Sequence, residues 1–97
     1  MNRIFHSMVL LFLCCGTMLA QVTITGKVSD SQHEPVIGAS ILQKGTTNGT
    51  ITDFDGAFSL SVTDAQATLV VSYVGMKTLE VSLQGQTTVN ITMSDDT

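Results

Sequence analysis

Residues 57–83 read AFSLSVTDAQATLVVSYVGMKTLEVSL, and this stretch decides the fold class. In its first part Phe58, Leu60 and Val62 alternate with Ser59 and Ser61, and in its last part Leu79, Val81 and Leu83 alternate with Glu80 and Ser82. Successive side chains of a strand point to opposite faces, so this alternation predicts strands with one buried and one wetted face. The middle part, with Leu69, Val70, Val71, Tyr73 and Val74, is apolar on both faces and predicts the most buried strand. Between these runs lie Thr63-Asp64-Ala65-Gln66 and Gly75-Met76-Lys77, short breaks of the kind that reverse a chain.

The same period continues on both sides. In VTITGKVS, residues 22–29, Val22, Ile24 and Val28 share a face with Gly26; in TTVNITM, residues 87–93, Val89, Ile91 and Met93 do so. GASILQK, residues 38–44, predicts a twisted or bulged strand, and TITD, residues 50–53, a short one. Helical spacing is not sustained anywhere after residue 20. About seven short strands at turn spacings of about 8 to 12 residues predict an all-β fold, an antiparallel sandwich or small barrel. Its candidate core residues are Ile24, Phe58, Leu60, Leu69, Val71 and Tyr73.

The turns carry their own mechanisms. Pro35, in SQHEP, holds φ near its turn value. Asn48-Gly49 predicts a two-residue hairpin, since both residue types tolerate positive φ. In Asp53-Phe54-Asp55-Gly56, the Asp53 carboxylate is placed to accept the Asp55 amide hydrogen while Gly56 takes the left-handed position, which predicts a second tight hairpin. Gly75 and Gly85 mark two further turns, and the polar tail 94–97 is predicted to fray.

The first twenty residues, MNRIFHSMVLLFLCCGTMLA, have a different composition and predict a secretory signal peptide spanning 1–20. Arg3 supplies a positive start, Met8 to Cys15 form an apolar run, and Ala20 before Gln21 offers a cleavage point. The run is shorter than the roughly 20 residues that a spanning helix needs. Both cysteines, Cys14 and Cys15, fall inside this leader, so the domain at 21–97 has neither a disulfide framework nor a thiolate metal site. In that domain Lys27, Lys44 and Lys77 face eight carboxylates. So acidic a surface repels nucleic acid and anionic lipid, whose binding depends on clustered Lys and Arg.

Order and spacing of particular residues add a resemblance. Ile24-Thr25-Gly26-Lys27-Val28, Glu34-Pro35, Gly38-Ala39, Lys44-Gly45-Thr46-Thr47, Gly49-Thr50, Thr52-Asp53, Asp55-Gly56, Phe58, Leu60, Ser72-Tyr73-Val74-Gly75 and Lys77 span nearly the whole domain. Together they closely resemble the carboxypeptidase-regulatory-like domain, in the version that stands at the N-terminus of SusC/RagA-type TonB-dependent outer-membrane transporters. The resemblance implies a small antiparallel Greek-key β-sandwich of the transthyretin-like kind, in the periplasm. It further implies a parent transporter that imports glycans or other nutrients, energised by TonB and served by a lipoprotein lid. The family continues into a plug and a membrane barrel, whereas this sequence stops at Thr97, so it is read as a fragment or truncated product. The alternative reading is a stand-alone exported β-sandwich that presents a sheet edge or loop to a protein partner.

No motif predicts catalysis, a cofactor or a metal ion. Asp53-Phe54-Asp55-Gly56 contains the D-x-D-G core of a calcium loop, but with Gly56 at loop position six Ile51 and Val62 fall where carboxylates are required. His33 is the one histidine of the domain and lies in a polar turn without partner ligands. Gly45, Gly49 and Gly56 lack the helix start and Gly-Lys-Ser/Thr of a phosphate loop. Phe58 and Tyr73 alternate with core residues and are predicted buried, leaving Phe54 at a hairpin tip as the one aromatic free to meet a ligand. The Asn48 and Asn90 triplets match the eukaryotic glycosylation acceptor, and the bacterial origin that the resemblance implies makes them coincidental.

Overall fold

The computed structural model describes residues 21–96, so the predicted leader and its Ala20 cleavage side lie outside the described residues. Seven strands follow in order: β1 (Val22–Asp30), β2 (Ser40–Gln43), β3 (Gly49–Ile51), β4 (Ala57–Val62), β5 (Thr68–Ser72), β6 (Leu79–Ser82) and β7 (Thr88–Met93). They form two sheets, ordered β4-β1-β7 and β3-β2-β5-β6, with one core between them. The alternation read from the sequence becomes the inner faces of this sandwich. Ile24, Leu69 and Val71 are fully buried, Phe58 and Leu60 almost so, and Val62, Val89, Ile91 and Met93 complete the packing.

Four of the five strand pairings are antiparallel, but β1 and β7 run parallel, with Thr25 opposite Thr88 and Asp30 opposite Met93. The all-β sandwich of seven strands is the one expected, and this parallel pair is the single departure from its antiparallel pairing. The β5–β6 hairpin lies in one sheet and the chain then crosses to the other, so β7 enters from the end at which β1 begins. Side-chain alternation is blind to strand direction, which is why the sequence pattern could not reveal it.

β5 differs from its prediction in a second way. Leu69 and Val71 are buried, yet Val70 on the outer face is only half-buried, because among the described residues no layer packs on that side of the sheet. The strand ends at Ser72 and Tyr73 opens a turn closed by a bond from the Met76 amide to the Tyr73 carbonyl, 3.1 Å. Gly75, with φ 82°, takes the third position of that turn, where only a residue without Cβ is unstrained. Once the chain leaves the pleat, parity no longer directs a side chain inward. Tyr73 is 41% exposed and Val74 93%, so Tyr73 is not a core residue.

Asn48-Gly49 is not the β2–β3 turn either. A bond from the Gln43 amide to the Asn48 carbonyl, 2.8 Å, extends the ladder and leaves Lys44-Gly45-Thr46-Thr47 as the loop, with positive φ at Gly45. Asn48 instead donates its side-chain amide to the Ser61 carbonyl at 2.7 Å, tying the loop to β4 across the sandwich. Gly49 lies within β3, where a Cβ would stand 2.8 Å from the Ile41 carbonyl oxygen. The glycine answers to close packing there and not to turn geometry. Of the tail expected to fray, residues 94–96 are held: the Lys77 amide donates to the Ser94 carbonyl, the Asp96 amide to that of Gly75, and Met76 bridges Asp95, while Thr97 lies outside the described residues.

Candidate functional site

The end of the sandwich at which β1 finishes gathers the most elaborate turns, and it is the candidate site. Register places Asp30, Met93 and Ala57 of one sheet at this end, and Ser40, Ser72, Ile51 and Leu79 of the other. Three turns cap it, at residues 30–36, 52–57 and 73–76.

The first two share one device. Asp30 Oδ1 accepts the amide hydrogens of Gln32 (2.8 Å) and Glu34 (2.9 Å), and Asp53 Oδ1 accepts those of Asp55 and Ala57, both at 2.9 Å. In each turn the residue three past the aspartate is left-handed: His33 at φ 66° and Gly56 at φ 73°. The aspartate mimics a backbone turn and satisfies amides that the reversing chain would otherwise leave unpaired. The Asp53 turn is not a hairpin as predicted, because β3 and β4 belong to different sheets; it is the corner that carries the chain between them. Pro35 lies just beyond the first turn, bridged to Ser29, and His33 supplies the reversal.

The two turns are packed onto each other. The Val28 amide donates to the Gly56 carbonyl at 2.8 Å, and a Cβ on Gly56 would stand 2.5 Å from the Val28 carbonyl oxygen and 3.0 Å from the Pro35 ring. Beside them lies an open recess of about 360 Å³ lined by Lys27, Val28, Ser29, His33, Pro35, Asp55 and Asn90. Its lining offers a single imidazole, carboxylate and amine. Among the described residues no three His, Cys, Asp or Glu side chains come together as a metal site would require.

Thr52 is the residue that sequence reasoning missed. It is 3% exposed, and its hydroxyl accepts the Ala39 amide hydrogen at 2.8 Å while donating to the Val36 carbonyl at 2.6 Å. Its own amide donates to the Ala39 carbonyl and its carbonyl accepts from Gly38. One threonine thus fastens the whole 36–39 segment to the end of β3. Nothing in TITD distinguishes it from an ordinary strand threonine. The Asp30 turn was open to detection, since Asp30 precedes His33 as Asp53 precedes Gly56. Phe54, predicted at a tip, is 85% exposed there.

Comparison with known proteins agrees with this architecture. Residues 24–97 match the family model of the CarboxypepD_reg-like domain, and the chain belongs to that family. It is 43% identical over 96% of its length to the TonB-dependent receptor SusC of Bacteroides thetaiotaomicron, spanning 10% of that protein. It is 39% identical over 76% of its length to the TonB-dependent receptor P39 of Formosa agariphila, spanning 7% of it. The chain therefore covers a tenth or less of these relatives. In a type II Cohesin-X-Dockerin complex of Acetivibrio cellulolyticus, a similar chain superposes with a TM-score of 0.62 at 22% identity, covering 76% of this chain and 58% of that one. This last likeness concerns the fold alone.

Proposed function

We propose that this CarboxypepD_reg-like chain is the non-catalytic, periplasmic N-terminal module of a SusC/RagA-type TonB-dependent outer-membrane transporter for glycans or other nutrients. The observation that carries the reading is the 43% identity to a TonB-dependent receptor along 96% of this chain, against 10% of the receptor. A small sandwich that recurs as a minor part of a much longer transporter is an appendage to it, and its work is to meet other protein surfaces. In this reading residues 1–20 direct export and are removed between Ala20 and Gln21. Transport itself, energy from TonB and capture by a lipoprotein lid belong to the plug and barrel of the parent. In this reading the turn-capped end described above is a contact surface for other proteins.

The test is to blot outer-membrane and periplasmic fractions of the source organism with serum raised against this chain. A band of complete-receptor size in the outer membrane supports the proposal. A sole soluble band of the chain's own size would overturn it in favour of a free-standing exported binding module.

A further inference from the structure

Large apolar side chains left in water are ordinary when scattered, but a concentration of them marks a surface that meets a partner. Five remain exposed among the described residues, Ile37, Ile51, Phe54, Tyr73 and Val74; register places Ile51 at the turn-capped end, Phe54, Tyr73 and Val74 lie in its capping turns, and Ile37 precedes Gly38, which is bonded to Thr52 there. The opposite end is built from Lys44-Gly45-Thr46-Thr47-Asn48, Thr63-Asp64-Ala65-Gln66 and Gln84-Gly85-Gln86-Thr87, with no large apolar residue among them.

Two of the five, Tyr73 and Val74, line a groove, and Ile51 stands beside it. Across the outer face Ile51 is paired with Ser40 and Ser40 with Ser72, so two small hydroxyl side chains lie between Ile51 and the Tyr73-Val74 turn. Gly38, held by Thr52 at 3.1 Å, borders the same floor. Gly38, Ser40, Ser72, Tyr73 and Val74 line an open groove of about 420 Å³. Small residues flanked by an exposed isoleucine, tyrosine and valine form a shape that admits apolar side chains of an incoming chain. The serines and the turn backbone supply polar contacts beside them.

Charge selects the occupant. Six of the eight carboxylates, Asp30, Glu34, Asp53, Asp55, Asp95 and Asp96, stand at this end. The one ion pair among the described residues, Lys44 with Glu80 at 2.6 Å, uses none of them. We propose that this end receives a polypeptide segment whose apolar side chains are flanked by lysine or arginine. Opposite charge around an apolar centre steers and orients such a partner. A second copy of this chain would bring two acidic rims together, and an anionic membrane would be repelled in the same way. The inference rests on this surface alone and stands whether or not the chain is joined to a barrel.

The experiment selects a phage-displayed random peptide library on the immobilised chain, then measures the enriched peptides by fluorescence anisotropy. Enriched sequences are expected to combine apolar residues with lysine or arginine. Val74→Ser and Ile51→Thr, at exposed positions, are expected to weaken binding by about tenfold or more while the melting curve stays in place. Glu34→Gln with Asp55→Asn, and added salt, are expected to weaken it too, whereas Thr47→Glu at the far end leaves it unchanged. Peptides without basic excess, binding indifferent to Val74 and Ile51, or no enrichment would each overturn the proposal. So would a concentration-dependent dimer that Val74→Ser abolishes, since the occupant would then be a second copy.

Discussion

Thr52→Val replaces a buried hydroxyl by a methyl of nearly the same size, which removes two hydrogen bonds and almost no volume. The Ala39 amide and the Val36 carbonyl, now bonded to Thr52 at 2.8 and 2.6 Å, would both lose their partner inside the protein. A buried polar group left unsatisfied costs about 1–3 kcal/mol, so the pair predicts a loss of about 2–6 kcal/mol. A domain of this size has a net stability of roughly 4–11 kcal/mol, making the variant conspicuous. Its melting temperature should fall by at least roughly 8 °C, at about 4–8 °C per kcal/mol. Thr52→Ser keeps both bonds and loses one buried methyl, for a cost near 0.8 kcal/mol on the scale of about 0.8 per buried carbon. Urea melts of the wild type and both variants read the difference, with the slope expected to be common to all three. If Thr52→Val melts with the wild type, or no later than Thr52→Ser, the hydroxyl is not the fastening and the argument fails.

Tyr73→Ala and Phe54→Ala remove exposed rings and should each cost less than about 1 kcal/mol, whereas Leu69→Ala in the core should cost about 2–5 kcal/mol; denaturant melts rank the three. Gly56→Ala meets both a left-handed φ and the Val28 carbonyl, while Gly75→Ala meets only the φ with open space around it, so thermal melts should show the former as the more damaging by at least about 1 kcal/mol. Asp53→Ala removes the acceptor of two turn amides and should destabilise by about 1–2 kcal/mol, with Asp53→Asn recovering most of the loss in the same melts because its carbonyl oxygen still accepts. Calcium and chelator should leave the melting temperature where it is, because a ligand that binds only the folded state must raise it; a rise abolished by Asp55→Ala would restore the calcium loop rejected on register.

Much of the fold was legible in the alternation of apolar and polar residues, because that period is imposed by the pleat itself. Ile24, Phe58, Leu60, Leu69 and Val71 could be placed inward from parity alone. Parity fails where the pleat stops, and Tyr73 shows the limit: it keeps the phase of Leu69 and Val71 but belongs to the following turn. Glycine signals were ambiguous for a similar reason. The same residue type serves a left-handed turn at Gly56 and Gly75 and close packing at Gly49, and local sequence does not separate these uses. The candidate site was the least legible part, because Ile37, Ile51, Phe54, Tyr73 and Val74 are scattered along the chain and each alone would pass for an ordinary surface residue. Only the order β3-β2-β5 and its register bring Ile51, Ser40, Ser72 and the Tyr73 turn into one row. Thr52 then acquires a second meaning. By anchoring Gly38 and Ala39 it holds the floor of that row in place, so a substitution there should disturb the groove before it unfolds the sandwich.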